Sequence, residues 1–572
     1  MDRRTFLTST LGATVALALG ACTRDQPTTQ ETGPQATGQG TPSPAGSPDA
    51  SPVAARPTLR LPGEDAGFPS PFTYQRGPGY WRMSFIYDTL LWVGADGEFL
   101  PWLASDMEAS DDGLLYTFTL RDDVRWHDGE PFTADDVVFT FEYFQAQTLS
   151  PEVIVQPGQR TFADQVTAPD ERTVEIRLAE PDTTFVDLVA AAVPIVPRHV
   201  WSDVDDAARA QDPALLIGTG PYRLESYTSG EGSYLYTAND DYFLGAPFVQ
   251  RIEYRTVGDP LAAVLAGEAD AADQFGLRPD ALAPFQDTPP FAVLEGFPGA
   301  FQLGLYWNLA RGGALADPRF RHACAMAIDR GDLVERLFGG NGAPGNPGWI
   351  PPGDPFHVDV EQYAFDPAAA NQLLDEAGYP RQSSDGPRQG PDGEPLRFEL
   401  LVTTGPPLVA PTADLLTAAL GQLGIELSVQ PLDTPSFNQR VIAGETELSL
   451  ITAGGLRGYP DYMRRVYASF TEITQHAQGY ENAEFDELAR EQLATLDVDE
   501  RMEIVARMQQ IVAADLPLLP LYYPTPFLVY NAEVFDAWYY TEGGFAGNIP
   551  TVYNKHAFIT GRQDGLEIRP SG

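Results

Sequence analysis

A short apolar run near the amino terminus fixes the conditions under which the rest of this chain must fold. Residues 11–21 are apolar or small, and they follow the basic head Met1-Asp2-Arg3-Arg4-Thr5-Phe6-Leu7 and end in Leu19-Gly20-Ala21-Cys22. A helix that crosses a bilayer needs ~20 apolar residues, so this run is too short to span one. A charged head, a brief apolar stretch and a small-residue end describe a secretory signal instead. From Thr23 to Pro57 the chain is Thr, Gln, Gly, Pro, Ser and Ala with almost no large apolar side chain. Such a segment cannot bury enough surface to offset its ordering entropy and reads as a disordered tether. Globular sequence therefore begins at about residue 58, with no further run long enough to cross a membrane.

An exported chain could lean on disulfides, but this one has two cysteines, Cys22 and Cys324. With Cys22 at the end of the signal, Cys324 stands alone, and an internal disulfide is excluded. Phe320, Cys324, Ala327 and Ile328 share one helical face, so the thiol reads as core packing. The formal net charge is −44, and Lys555 is the only lysine. A surface this acidic argues against nucleic acid and against anionic lipid headgroups as partners.

The body alternates strand and helix signals. Leu115–Leu120 has strand alternation, and Thr133 is placed to cap a helix through Ala134-Asp135-Asp136-Val137. Residues 396–402 read as a strand, 411–423 as a helix stopped by Gly424, and 425–429 as a second strand. That order is a βαβ unit with a parallel crossover. Asp366-Pro367 opens another helix, which ends at Gly378. Val264-Leu265-Ala266-Gly267-Glu268-Ala269-Asp270 is echoed by Val441-Ile442-Ala443-Gly444-Glu445-Thr446-Glu447. The echo is either two lobes on related plans or chance in an Ala/Gly/Glu-rich chain.

Several ordered motifs carry a resemblance. Phe99-Leu100-Pro101-Trp102-Leu103-Ala104-Ser105-Asp106 and Asp112-Gly113-Leu114-Leu115-Tyr116-Thr117-Phe118-Thr119-Leu120-Arg121 lead into Val124-Arg125-Trp126-His127-Asp128-Gly129-Glu130-Pro131-Phe132-Thr133. Gly218-Thr219-Gly220-Pro221-Tyr222, Asn239-Asp240-Asp241-Tyr242-Phe243-Leu244-Gly245, Asp317-Pro318-Arg319-Phe320-Arg321 and Leu373-Leu374-Asp375-Glu376-Ala377-Gly378-Tyr379 follow. Together they resemble the family 5 extracellular solute-binding proteins, the peptide, nickel and oligosaccharide receptors of ABC importers. The resemblance covers about residues 60–540. Leu19-Gly20-Ala21-Cys22 likewise resembles a bacterial lipobox, which implies lipidation of Cys22, and Arg3-Arg4-Thr5-Phe6-Leu7 resembles a twin-arginine export signal.

The resemblance implies an α/β fold of the periplasmic-binding-protein type, class II with an extra subdomain: two lobes hinged by two crossover strands. It implies a signal at 1–22, a tether at 23–57, lobe I at 58–299 and 520–572, and lobe II at 300–519. The first crossover is expected near 300–308 and the return near 519–523. The implied role is capture of a peptide-like or oligosaccharide-like solute in an interlobe cleft and delivery to an ABC permease, by a monomer of the cell envelope, either held to the outer face of the cytoplasmic membrane by lipid or periplasmic. No cofactor is implied. An exported hydrolase, or a sensor or adhesion lipoprotein on the same fold, stays open as an alternative.

Catalytic signals are weak. His127-Asp128-Gly129 could suggest a general base, but Gly129 and Pro131 make it a turn. The other histidines, at 199, 322, 357, 476 and 556, lack metal-ligand spacing. No Gly-x-Ser-x-Gly elbow or phosphate loop occurs, and 80 acidic residues are too many for spacing to single out a pair. Aromatic and arginine residues near the crossovers and in loops facing them are the ligand candidates: Tyr80, Trp81, Phe301, Trp307, Arg457 and Tyr459. Peptide-binding relatives typically carry an aspartate shortly before the proline matched by Pro460, which pairs with the peptide amine. Here Leu456 and Arg457 stand in that stretch. A buried ammonium without a counter-charge is costly, so amine-anchored peptide binding is not expected. Arg457 either grips a carboxylate or ligand hydroxyls, with Tyr459 or Trp81 stacking on an apolar or sugar face, or is a solvated loop residue paired with a nearby acid.

Overall fold

The structure, a computed structural model, describes residues 58–74, 78–93, 99–149, 165–247, 249–296, 298–299, 301–383, 386–404, 406–454, 460–471 and 476–534. The signal, the tether, Cys22, Arg457, Tyr459 and the stretch from 535 onward lie outside them.

The expected βαβ unit forms the edge of a six-stranded sheet. Its strands, in spatial order, are Gly342–Pro344, Leu518–Pro524, Phe301–Trp307, Leu448–Gly454, Arg397–Thr403 and Glu426–Leu432. Arg397–Thr403 runs parallel to Glu426–Leu432, and the helix Val409–Gln422 joins them. Phe301–Trp307 lies antiparallel between Leu448–Gly454 and Leu518–Pro524. Because side chains alternate along a strand, the sheet buries Leu303, Leu305, Leu400, Leu450, Leu519 and Leu521 on one face. Tyr306, Leu401, Ile451, Leu518 and Tyr523 go to the other. Helices cover both faces of this mixed sheet, so the strands are buried on both sides. Cys324 is fully buried with Phe320, Ala327 and Ile328 in the first of these cores, where desolvation pushes its thiol pKa up.

Four further sheets lie outside this one, the smallest being the antiparallel pair Leu91–Val93 and Phe99–Pro101. In one, Thr58–Pro62 runs parallel to Arg251–Arg255, which pairs with Ser233–Ala238 and so with Tyr222–Thr228. In another, Pro526–Asn531 sits between Ala271–Phe275 and Phe291–Glu295. The third, Ala104–Ala109, Leu115–Leu120, Thr173–Arg177 and Gln165–Asp170, carries the 99–130 motifs.

The chain therefore crosses between the lobes twice, after Glu295 and again at Thr525. The second crossing lies later than expected: residues 519–523 pair inside the second lobe's sheet, where Leu519 and Leu521 are fully buried. The return of lobe I expected at 520 falls after Pro524.

The motif histidine is structural. His127 is buried, its Nε2–H donates to the Gly220 carbonyl at 2.9 Å, and its Nδ1 accepts from the Gly218 N–H at 3.3 Å. That tautomer uses both ring nitrogens and leaves no free base. Burial pushes its pKa from 6.5 down to about 4. The unfolded chain then binds the extra proton between those values, so this contribution is complete above pH 6.5 and lost as the pH falls. Going from pH 7 to pH 5 is expected to cost about 2 kcal/mol through this one residue. Urea unfolding at both pH values should show a smaller pH difference in H127Q; an unchanged difference would assign the titration elsewhere.

Candidate functional site

In open α/β sheets a ligand sits outside the carboxyl ends of the parallel strands. Thr403 and Gly454 mark that edge in the second lobe, and the antiparallel Phe301–Trp307 begins there. The carboxyl end of Ala271–Phe275 faces it from the first lobe. Between them lies a cavity of about 130 Å³, lined by Gln274 and Phe275 from one lobe and by Phe301, Leu303, Pro406, Pro407, Leu408, Val409, Thr452 and Tyr522 from the other. Phe275 and Phe301 stack across the crossing, with ring centroids 5.0 Å apart and planes at 28°. The Tyr522 hydroxyl is held by Thr412 Oγ1 at 2.8 Å, which turns its ring edge to the cavity. Among the described residues no acid or base lines this space. An apolar cavity of about 150 Å³ accepts a benzene ring, so a branched aliphatic or aromatic group suits it.

Of the sequence candidates among the described residues, only Phe301 lines this cavity, and Arg457 and Tyr459 lie outside those residues. Tyr80 and Trp81 belong to the short helix Pro78–Ser84 and are buried in the first lobe's core, where the Tyr80 hydroxyl donates to the Ala192 carbonyl at 2.8 Å. Trp307 lies at the far end of its strand, about 20 Å from Phe301 at the usual rise per residue. It is 1% exposed in the second lobe's core, so it packs there and does not reach the cavity. Asp461 is buried and accepts from Arg464 at 2.6 and 3.0 Å and from Gln492 at 3.2 Å, so its carboxylate is spent within the lobe. Sequence reasoning passed over Phe275, Tyr522 and Pro406–Pro407. The proline pair had a usable signal, since it sits between a strand and a helix of the βαβ unit, where that rule puts ligands.

The lobes also touch through the segments 277–278 and 336–341. Arg278 Nη1 donates to the Arg336 carbonyl at 2.9 Å and Asn341 Nδ2 to the Leu277 carbonyl at 2.5 Å. Elsewhere the Thr183 N–H donates to the Leu493 carbonyl at 2.8 Å. Among the described residues no group of three or more His, Cys, Asp or Glu side chains is arranged to hold a metal, and no helix is long and apolar enough to cross a membrane.

Two α/β lobes crossed twice by the chain, with a cavity at the crossing, define the fold of periplasmic binding proteins. Bacillus subtilis AppA, an oligopeptide-binding protein solved with a nonapeptide, shares this fold with a TM-score of 0.72 at 22% identity, over 85% of this chain and 96% of that one. Brucella suis NikA, solved with Fe(III)-EDTA, also gives 0.72, at 24% identity over 86% of this chain and all of that one (100%). Residues 98–475 match the family model of the bacterial extracellular solute-binding proteins, family 5, and the chain belongs to that family. A Brucella ovis protein named as an ABC transporter peptide-binding protein is 32% identical over 375 residues, 63% of this chain. The chain spans 66% of that relative's length.

Proposed function

We propose that this chain is the solute receptor of an ABC importer, anchored outside the cytoplasm by lipid on Cys22, and that it captures a peptide-like solute by an apolar side chain. The observation that carries this is the uncharged cavity walled by Phe275, Phe301 and Tyr522, built by both lobes at their crossing. A group seated there contacts both lobes at once and so stabilises one relative arrangement of them, which is how ligand shifts a hinged protein. The relatives named for peptides support the peptide-like class over others in the family. No step of bond making is invoked: the permease reads the arrangement and the solute leaves intact.

A thermal-shift panel tests this. Peptides with Leu, Ile or Phe side chains should raise the melting temperature of the purified protein, and all-Gly or all-Asp peptides should not. Truncating one wall, F301A, is expected to weaken binding about tenfold, or ~1.4 kcal/mol, for loss of part of a buried ring contact. Calorimetry that finds equal affinities in F301A and the parent would remove the cavity from the solute site.

A further inference from the structure

Arg82 is the most anomalous charged group among the described residues. It is 0% exposed, and neither its Nε nor either Nη has a hydrogen-bond partner. Every other buried arginine in these residues spends its guanidinium on named acceptors. Arg321 donates to the carbonyls of Leu315, Asp515 and Leu516; Arg388 to those of Leu423 and Asn371 and to Asp375; Arg330 to those of Gly345 and Gln362. Arg82 has only ring faces, with its Cζ 3.2 Å from the centroid of Tyr254 and 5.4 Å from that of Tyr234. Cation–π contact does not use the in-plane N–H groups, and a buried charge without hydrogen bonds is costly. The buried hydroxyl of Tyr236, on the same sheet, is also without a partner. Asp273 acts on the Tyr254 ring from the strand Ala271–Phe275 but makes no ion pair with Arg82.

The position is informative. Gly63 packs beside Arg82, one residue past the carboxyl end of Thr58–Pro62, which runs parallel to Arg251–Arg255. A Cβ on residue 63 would come within 2.7 Å of Arg82 Nη2 and 3.1 Å of Tyr254 Cδ1, so only glycine packs this closely on the guanidinium, and any larger residue there would displace it. On Ala271–Phe275, in the neighbouring three-stranded sheet, Asp273 and Phe275 share a face, and Phe275 lines the interlobe cavity.

The geometry points to Arg82 as the residue that receives a carboxylate of the solute, with Gly63 packed against its Nη2 and the Tyr236 hydroxyl as a second donor. This rests on the solute-receptor reading and narrows it: the cargo carries a free carboxylate as well as an apolar group. A planar guanidinium presents paired N–H groups that match the two oxygens of a carboxylate.

Two probes test the assignment, one of them independent of solute identity. Sodium acetate against sodium chloride at matched ionic strength should raise the melting temperature of the parent protein and leave R82M unmoved. Peptide pairs that differ only in a C-terminal carboxylate or carboxamide should bind the parent with at least a tenfold preference for the acid. That preference should fall to near unity in R82M and, with Arg82 still present, in G63A. Glucuronate against glucose makes the same comparison for sugar acids. R82M without ligand should melt at or above the parent, because an unpartnered buried charge has been exchanged for an apolar chain of similar length. A marked drop in its melting temperature would make Arg82 a structural residue and overturn the proposal, as would an acid preference that survives in both variants. If acetate acts through Arg82 but no peptide of either kind binds, the peptide-like reading falls and the carboxylate site stands.

Discussion

Replacing Trp307 with alanine is expected to unfold the second lobe and not to act on solute affinity. The side chain is 1% exposed and packs among Leu303, Leu305, Leu448 and Leu450 in the core on one face of the six-stranded sheet. Truncating a buried tryptophan to alanine costs about 3–5 kcal/mol, the sum of lost transfer energy and the cavity left behind. For a lobe of this size that is a fall in melting temperature on the order of 10 °C. The indole Nε1 has no hydrogen-bond partner, so the ring and not the N–H is what the core uses. Tryptophan to phenylalanine should therefore retain most of the stability, within about 1.5 kcal/mol. Scanning calorimetry of W307A, W307F and F301A separates the roles. F301A should lose affinity with a modest change in melting, and W307A the reverse. A W307A protein with the parent's melting temperature and impaired binding would sink the packing account.

The contrast between Phe301 and Trp307 shows how far the chain's own pattern reaches. Both are aromatic, both begin or end the same strand, and both lie on the same face of it, since they are an even number of residues apart. Periodicity cannot separate them. What separates them is distance along the strand, about 20 Å, and which end meets the other lobe, which depends on the partner strands Leu448–Gly454 and Leu518–Pro524. The βαβ unit was legible because its period changes from strand to helix to strand within a short span. The second crossing was harder to place. Leu518–Pro524 is buried throughout, so no alternation marks the lobe to which it belongs. Tyr80 and Trp81 follow a Gly-Pro-Gly stretch that suggests an exposed loop, yet the turn of helix that holds them packs inward. Phe275 was invisible for another reason. Its strand is short and is held by Pro526–Asn531, far away in the chain, so no local signal points to it. Arg82, next to Trp81, became informative only when its surroundings were known to offer no acceptor.

The Gly218-Thr219-Gly220 motif, read first as a family resemblance, gives the other large expected effect. Glycine to alanine at a residue with ordinary backbone angles usually stabilises, by about 0.4–1 kcal/mol, through the unfolded chain. At Gly218 the sign should reverse. An added Cβ would be driven into the backbone carbonyl of Ile86, deep inside van der Waals contact, and that oxygen is already held by the Gly220 N–H at 2.8 Å. Backbone cannot yield as a flexible side-chain tip can, so the whole 218–220 segment would have to move. That movement breaks the Gly218 carbonyl's bond from the His127 N–H at 2.8 Å and the Gly218 N–H bond to His127 Nδ1 at 3.3 Å. It also disturbs Thr219 Oγ1, which donates at 3.0 Å to the buried carboxylate of Asp88, where Trp102 Nε1 also donates at 3.0 Å. Overpacking of about 1–3 kcal/mol and two lost hydrogen bonds at about 1 kcal/mol each put the expected loss for G218A at about 4 kcal/mol, confined to the first lobe. Gly258 supplies the control, because a Cβ there meets nothing within 4 Å, so G258A should match or slightly exceed the parent. Hydrogen exchange is the decisive readout. In G218A, protection should fall in 85–90 and 218–222 and persist in the second lobe's sheet, whereas parent-like protection in both would mean that the motif is not packed against Ile86 in solution.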